Sequence, residues 1–229
     1  MLDDNWDLIR GPVATEIEVI NATSQINVLD GLVKFLLAHN GPDGTGKPPM
    51  PDEAALCNLH HAGTVFLLDE PGRYRNIRVD VRDKDNNIIH EPPEWQDVPR
   101  LMRFFFRQLS SVWNAGDHLD NAAYALWMIN WVHPFRNGNG RTARAFCYAV
   151  LCLKIGVELP GAVTVIDLIM HNRPQYYAAL RAADTTFKEN GIPDLQPMKQ
   201  FIGQLLQMQI ASAQQQAGQA MEHPDTPAS

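Results

Sequence analysis

The chain is poor in cysteine, in positive charge and in long apolar runs. Three cysteines occur in 229 residues, and the positions of Cys57, Cys147 and Cys152 match no metal-ligand spacing, which favours buried free thiols in a reducing compartment. The formal net charge of −7 argues against a dedicated nucleic-acid binder, because such domains usually carry a basic surface. No apolar run approaches the length that spans a bilayer, and the first residues lack the basic-then-apolar form of a secretory signal. We therefore expect a cytoplasmic protein with neither a nucleic-acid nor a membrane partner.

What the sequence does contain is helical periodicity, with β-type alternation in one place. Apolar residues recur at helical spacing over residues 26–38, 52–68, 98–113, 118–132, 141–155, 172–190 and 195–210. These patterns place Phe66 and Phe104 among the inward-facing side chains. Residues 77–81 alternate apolar and charged side chains, a turn rich in Asp and Asn follows, and Ile88-Ile89 returns the chain. The prediction is an all-α protein with one β-hairpin, which lies as a flap on the helices because two strands alone are marginal in water.

The segment with the most chemical information reads His-Pro-Phe-Arg-Asn-Gly-Asn-Gly-Arg-Thr-Ala-Arg and covers residues 133–144. It combines a candidate general base, His133, with a glycine-containing turn at the start of a predicted helix. The free N–H groups and the positive dipole end of a helix N-terminus attract an anion. Arg141 and Arg144 lie three residues apart, on one helix face, where two guanidinium groups can grip phosphate oxygens. The pattern indicates phosphate chemistry.

This segment resembles the signature of the Fic family (Fic/Doc superfamily), HPFx(D/E)GNGRxxR, at every specified position except one. The resemblance extends to Gly72-Arg73-Tyr74-Arg75 before the hairpin, to Leu59-His60 and to residues 173–180, so that it covers about residues 56–190. It implies a Fic-type helical bundle with one β-hairpin flap. It also implies nucleotidyl transfer, most often of AMP from ATP, to a Ser, Thr or Tyr hydroxyl of a target protein.

The resemblance assigns roles to individual residues. His133 becomes the general base, while Phe135 packs into the core and fixes the loop. The donor nucleotide falls to residues of the motif and of a later helix: Gly138, Asn139, Gly140, Arg141, Arg144, Tyr176 and Tyr177. Among these, the glycines and Asn139 form an anion hole to which Asn139 adds a side-chain donor, Arg141 holds the β-phosphate and Arg144 the γ-phosphate. The two tyrosines line an adenine pocket, with core packing of at least one as the alternative.

Asn137 is the departure from the signature, since the family usually has Asp or Glu there to bind the Mg²⁺ that bridges the phosphates. An amide oxygen lacks the negative charge that makes a carboxylate a good ligand for a hard cation, so Asn137 is a weak metal ligand and Mg²⁺ binding is weakened. ATP or another nucleoside triphosphate remains the expected donor. The alternative is a catalytically silent member that binds nucleotide or serves as an interaction protein. The neighbouring pair His60-His61 lacks a second ligand cluster, which favours packing or hydrogen bonding over a metal.

In the family, the edge of the hairpin pairs with an extended segment of the target by β-augmentation and places the target hydroxyl beside the base. The residues at that edge here are Ile77, Arg78, Val79, Asp80 and Val81. The alternative is a structural ribbon whose apolar face only packs on the helices.

An inhibitory element is a further implication of the resemblance. Some members carry a helix with the pattern (S/T)xxxE(G/N), whose glutamate pairs with the second arginine of the motif. Residues 14–19, Ala-Thr-Glu-Ile-Glu-Val, resemble that pattern loosely and place Glu18 opposite Arg144, with a solvated acidic turn as the alternative. A small antitoxin-like inhibitor is another partner that the resemblance allows.

The predicted organisation has three parts. Residues 1–50 form a helical N-terminal segment that carries the inhibitory candidate, and residues 51–210 form the Fic catalytic domain. Residues 211–229 form a disordered tail, because their Gln- and Ala-rich composition supports no core.

Overall fold

The computed structural model describes residues 6–39, 46, 48–83 and 85–222. The chain divides into two compact units, residues 1–156 and 157–229. The N-terminal helix therefore belongs to the same unit as the motif, while the helices after residue 156 form a unit of their own. Residues 1–5, 40–45 and 47 of the predicted N-terminal segment, and residues 223–229 of the predicted tail, lie outside the described residues.

The first unit is a bundle of helices around one central helix pair. Its elements are α1 (Pro12–Ala38), α2 (Glu53–Thr64), β1 (Val81–Arg82), β2 (Ile88–His90), a 3₁₀ turn (Trp95–Asp97), α3 (Val98–Val112), α4 (His118–Val132) and α5 (Asn139–Ile155). Nine of the 15 residues of α4 and 11 of the 17 residues of α5 are buried, as expected for two helices at the centre of a bundle. The predicted fold class, all-α with one hairpin, is confirmed.

The starts of α2 and α4 follow the capping chemistry of the sequence, whereas the start of α5 does not. The side chain of Asp52 accepts from the Ala55 N–H at 2.8 Å, and Asp117 does the same for the Asp120 N–H at 2.6 Å, so α2 and α4 have ordinary N-caps. At α5 the N-cap is Gly138, with φ 75°, and no side chain caps this end. The free N–H groups of α5 therefore remain available to a ligand.

The hairpin is shorter than the alternation predicted. Val81 pairs with His90 and Arg82 with Ile88, with an irregular step between the two pairs. The strand predicted over residues 77–81 forms only at Val81. The backbone before it is hydrogen-bonded elsewhere, since the carbonyl of Ile77 accepts from the Arg75 side chain at 3.1 Å.

Two aromatic residues that the periodicity placed in the core lie at the surface, so both predictions were wrong. α2 ends at Thr64, and Phe66 follows in a left-handed turn (φ 65°) that leaves its side chain 71% exposed. On α3 the buried residues are Val98, Met102, Phe105 and Leu109, which rotates Phe104 to the helix edge. Among the described residues, no helix is long and apolar enough to cross a membrane.

The second unit consists of α6 (Val165–His171), α7 (Arg173–Asn190) and α8 (Gln196–Glu222). Thr164 and Asp167 form a reciprocal capping box at the start of α6. Buried Gln209 on α8 accepts from the Val165 N–H at 2.8 Å and donates to the Pro160 carbonyl at 2.9 Å, which fixes α8 to the start of α6. α8 continues past residue 210, where the sequence predicted a disordered tail to begin.

Candidate active site

The centre of the candidate site is His133, the residue that ends α4. Its backbone is left-handed (φ 51°, ψ 58°), and its N–H donates to the Ile129 carbonyl at 3.0 Å. On the ring, Nδ1 lies 3.3 Å from the Asn130 carbonyl. A carbonyl only accepts, so Nδ1 carries the hydrogen and Nε2 keeps the lone pair. This tautomer leaves Nε2 as a base.

The surroundings of His133 keep its imidazole uncharged. Burial lowers the pKa of His133 to about 4, and the nearby His90 and Arg75 charges act in the same direction, against the opposing effect of the Asn130 carbonyl. The neutral form therefore dominates at neutral pH, as a proton acceptor requires.

The loop after His133 is held by its own side chains. Phe135 is fully buried, which confirms the packing predicted for it. Asn139 accepts from the Phe135 N–H and donates to the Phe135 carbonyl, both at 2.8 Å. The side chain of Asn139, predicted to be a donor in the anion hole, is therefore used within the loop. Asn139 contributes only its backbone N–H to the helix terminus.

His60 on α2 joins three parts of the site. Its Nδ1 accepts from the Gly72 N–H at 2.8 Å, and its Nε2 donates to the Asn137 carbonyl at 2.9 Å. Its ring stacks on Phe135 with centroids 3.7 Å apart. The hydrogen-bonding role that the sequence favoured over metal binding is confirmed. Because the ring is fully buried, the pKa of His60 falls to about 4.

We expect the buried histidines to make the protein sensitive to acid. The folded pKa of His60 is about 4, against 6.5 for the free side chain, so the unfolded chain binds a proton more readily. Stability is therefore complete above about pH 6.5 and is lost as the pH falls towards 4, by about 2 kcal/mol at pH 5 from His60 alone. Urea unfolding at pH 7.5 and pH 5 measures this difference.

The adjacent histidine offers a matched control. His61 is exposed, so His61→Gln should keep the wild-type pH dependence. His60→Gln should be less stable at pH 7.5 yet lose less between the two pH values. Equal losses in the two variants would show that His60 is not the acid-sensitive group.

The turn into α5 depends on glycine. A Cβ on Gly138 would lie 2.6 Å from Cγ2 of Thr64, so the close approach of α2 excludes any larger residue. The Gly138 N–H is taken by its own neighbour, since Oδ1 of Asn137 accepts it at 2.6 Å. The first helical bond runs from the Thr142 N–H to the Gly138 carbonyl at 3.2 Å. The N–H groups of residues 139–141 thus precede the helical ladder.

The two arginines of the motif lie on this first part of α5. Arg141 donates to the Gly63 carbonyl at 3.1 Å. Arg144 passes over Gly140, with Nη1 3.2 Å from the place that a Cβ would occupy. The absent side chain at Gly140 therefore leaves room for the second guanidinium beside the helix terminus.

Glu18 lies at the site, but at a different arginine than predicted. Its Oε2 is 3.0 Å from Nη2 of Arg141, so the predicted pairing with Arg144 was wrong. Its Oε1 accepts from the indole N–H of Trp6 at 2.6 Å, and the Trp6 ring lies 5.4 Å from the Arg141 guanidinium carbon. The sequence identified Glu18 as a site residue but gave no signal for Trp6, because no spacing rule relates the two residues.

The segment that carries Trp6 is fixed to the site. Trp6 is 2% exposed and packs with Leu67 and Leu68. The Asp7 N–H donates to the Leu67 carbonyl at 2.9 Å, and the Asp7 carboxylate pairs with Arg136 of the motif loop at 2.9 Å. Residues 6–8 therefore hold the region around Glu18 against the loop.

The residues here do not fit a Mg²⁺ ion held by the protein itself. The amide oxygen of Asn137, the weak ligand candidate, faces the Gly138 N–H, which fixes it as a hydrogen-bond acceptor. In the part of the chain that the structure describes, no three His, Cys, Asp or Glu side chains come together as a metal cluster.

The remaining predicted site residues belong to α7 and to the flap. Tyr176 is buried in the second unit and stacks on Phe201, as the core-packing alternative proposed, while Tyr177 is 44% exposed. Their adenine contact stays a prediction. At the flap, Ile77 is exposed and Asp80 pairs with Arg82 at 2.7 Å; target docking there also stays a prediction.

The sequence and the fold are similar to those of known proteins. The model of the Fic/DOC family matches residues 51–151. The chain is 29% identical over 142 residues to the protein adenylyltransferase Fic of Nematostella vectensis, which covers 62% of this chain but 29% of that protein. A Fic family protein from Desulfovibrio desulfuricans G20 has a similar fold (TM-score 0.65, 22% identity, 96% of this chain and 57% of that chain). So has the BepC effector of Bartonella tribocorum with bound AMPPNP (TM-score 0.52, 16% identity, 89% and 94%).

Proposed function

Since residues 51–151 of this chain are a Fic/DOC family domain, we propose that the protein transfers AMP, or another nucleoside monophosphate, from a nucleoside triphosphate to a Ser, Thr or Tyr hydroxyl of a target protein. The observation that carries the proposal is an uncharged His133, with a free Nε2 lone pair, next to an uncapped helix N-terminus and its two arginines. The similarity to protein adenylyltransferases supports the same reaction class.

The base takes part in the step that forms the new bond. Nε2 of His133 accepts the proton of the target hydroxyl while that oxygen attacks the α-phosphorus. The bond to the β-phosphate oxygen breaks, and pyrophosphate leaves with the bonding electrons. A neutral imidazole at neutral pH is suited to this role.

The N-terminus of α5 supports binding of the phosphates. The backbone N–H groups of residues 139–141 and the positive end of the helix dipole favour negative charge. Arg141 is assigned to the β-phosphate and Arg144 to the γ-phosphate, by the resemblance of the motif. In this arrangement the charge on the donor is neutralised by guanidinium and backbone groups of the chain itself.

The experiment that tests the proposal is a transfer assay. Purified protein is incubated with each of the four nucleoside triphosphates, labelled at the α-phosphate, in the presence of Mg²⁺ or Mn²⁺ and a cell lysate. The expected result is covalent label on the protein itself or on lysate proteins, and no such label with His133→Ala. The absence of any label that depends on His133, with all four nucleotides, would contradict the proposal.

The second candidate function is a nucleotide-binding protein with attenuated catalysis. It is favoured by Asn137, whose amide oxygen binds the Gly138 N–H, and by Glu18, which pairs with Arg141. Calorimetry together with the transfer assay distinguishes the two candidates. Nucleotide binding that depends on the phosphates, without any transfer, would support the second.

Asn137→Asp is expected to increase Mg²⁺-dependent transfer. The substitution adds a negative charge and a carboxylate oxygen of the kind that Mg²⁺ prefers, at nearly constant size. We expect a gain of about tenfold in the Mg²⁺-stimulated rate, which corresponds to about 1.4 kcal/mol of added Coulomb attraction between one carboxylate charge and the divalent ion. The assay is the initial transfer rate over a range of Mg²⁺ concentrations.

Asn137→Ala is the control, because it removes the amide oxygen without adding charge. Its rate should respond to Mg²⁺ no more than that of the wild type. If Asn137→Asp behaves like Asn137→Ala, residue 137 does not limit metal-dependent transfer.

A further inference from the structure

Arg75 is a buried cation with an unusual set of partners. It is 3% exposed, and its guanidinium donates to four backbone carbonyls: those of Ile77 (3.1 Å), Pro93 (2.5 Å), Val132 (3.4 Å) and His133 (2.8 Å). The backbone N–H of Arg75 donates to the Pro134 carbonyl at 2.8 Å. One side chain therefore organises carbonyls from three separate stretches of the chain.

These carbonyls belong to two features of the site. Those of residues 132–134 lie at the end of α4, where helical carbonyls have no partner within the helix. Those of Ile77 and Pro93 lie just before β1 and just after β2. Arg75 thus connects both ends of the flap to the turn that carries His133.

The turn needs such support. His133 has φ 51°, a left-handed conformation that a residue with a Cβ keeps only where the surroundings determine it. A second connection between the flap and the end of α4 reinforces that of Arg75, since the ring of His90 in β2 is hydrogen-bonded to the Trp131 carbonyl at 2.9 Å.

We infer that Arg75 is a positioning residue, which holds His133 in its left-handed turn and makes the flap and the base one rigid piece. The inference rests on the proposed function, in which His133 is the base. Arg75 itself touches neither the N-terminus of α5 nor its two arginines. Its loss should therefore lower kcat and leave the KM for the nucleotide nearly unchanged.

The planar fork of arginine is essential to this role. It directs five N–H groups in fixed directions, whereas lysine has one donor atom and cannot reach carbonyls on opposite sides. Arg75→Lys keeps the charge and removes the fork, and Arg75→Gln removes both. Arg73, an exposed neighbour that pairs with Glu70 at 3.2 Å, supplies the matched controls Arg73→Lys and Arg73→Gln.

The test combines kinetics with two readouts that need no activity. Transfer assays with Arg75→Lys should give a kcat about tenfold lower and a KM for the nucleotide within about twofold of the wild type. Amide hydrogen exchange should become faster at residues 131–134 and 88–90 together. In NMR titration the pKa of His133 should rise in both variants, because both loosen the turn that buries its ring, and should rise further in Arg75→Gln, which also removes the Arg75 charge.

The outcomes separate this inference from the proposed function. Exchange and kcat equal to those of the Arg73 variants would overturn it. If the wild type transfers no nucleotide, the proposed function fails, while hydrogen exchange and the NMR titration still decide whether Arg75 holds the turn. Should Arg75→Gln not fold, Arg75→Lys carries the test, since it retains the buried charge.

Discussion

Replacing His133 with asparagine or alanine is expected to lower the rate of transfer by about 10²–10⁴-fold, the usual contribution of a general base. Nucleotide binding should persist, because the groups proposed to bind the phosphates lie on α5 and His133 is not among them. Asparagine is the better probe, since it tolerates the left-handed backbone at this position (φ 51°) and has no basic nitrogen. Single-turnover kinetics together with calorimetry on the same variant measure the two quantities.

The pH dependence provides an independent check on the same residue. With a pKa of about 4, His133 stays unprotonated from pH 8 down to about pH 5, so its titration should not lower the rate over that range. A variant that binds nucleotide and transfers it at the wild-type rate would remove His133 from the mechanism.

Glu18→Gln is expected to raise the affinity for the nucleotide roughly 10–100-fold, which is the range that one hydrogen bond between charged groups is worth. In the wild type the Glu18 carboxylate occupies Nη2 of Arg141 at 3.0 Å, and the two side chains are only 12% and 22% exposed. A β-phosphate that binds Arg141 must therefore displace a carboxylate. The amide of glutamine still accepts the Trp6 hydrogen bond but competes less well for the guanidinium. Calorimetric titration with ATP measures the change.

Glu16→Gln is the matched control for Glu18→Gln. Glu16 is exposed and lies two residues earlier on the same helix. Its substitution therefore removes the same charge from a side chain that does not contact Arg141. An equal gain in affinity for the two variants would reduce the effect to overall charge and would show that Glu18 does not compete with the nucleotide.

The local features of the site followed from the sequence. The spacing of residues 133–144 predicted a base, a glycine turn and a helix with two arginines on it, and α5 begins at Asn139, two residues before the predicted start at residue 141. The packing of Phe135 also followed, as did a packing or hydrogen-bonding role for His60, although not its partners Gly72 and Asn137. These predictions depend on neighbours in the chain or on one strongly apolar side chain.

The contacts between distant segments did not follow. Glu18 and Arg141 are 123 residues apart in sequence, and which arginine Glu18 meets depends on how α1 is rotated against α5. A pattern of six residues carries no information on that rotation. The same holds for Arg75, whose acceptors are backbone carbonyls, because every residue has one and no residue type marks them.

The carboxylate at Arg141 belongs to the same chain as the site that it covers. Its effective concentration is thus set by the fold, and dilution of the protein cannot lower it. The apparent dissociation constant of the nucleotide is the intrinsic one divided by the fraction of molecules in which Arg141 is released. That fraction depends on how firmly Glu18 is held in place. It is held by the contact of Trp6 with Glu18 and by those of Asp7 with Leu67 and Arg136. In the proposed function, these few residues therefore determine the nucleotide concentration at which binding begins.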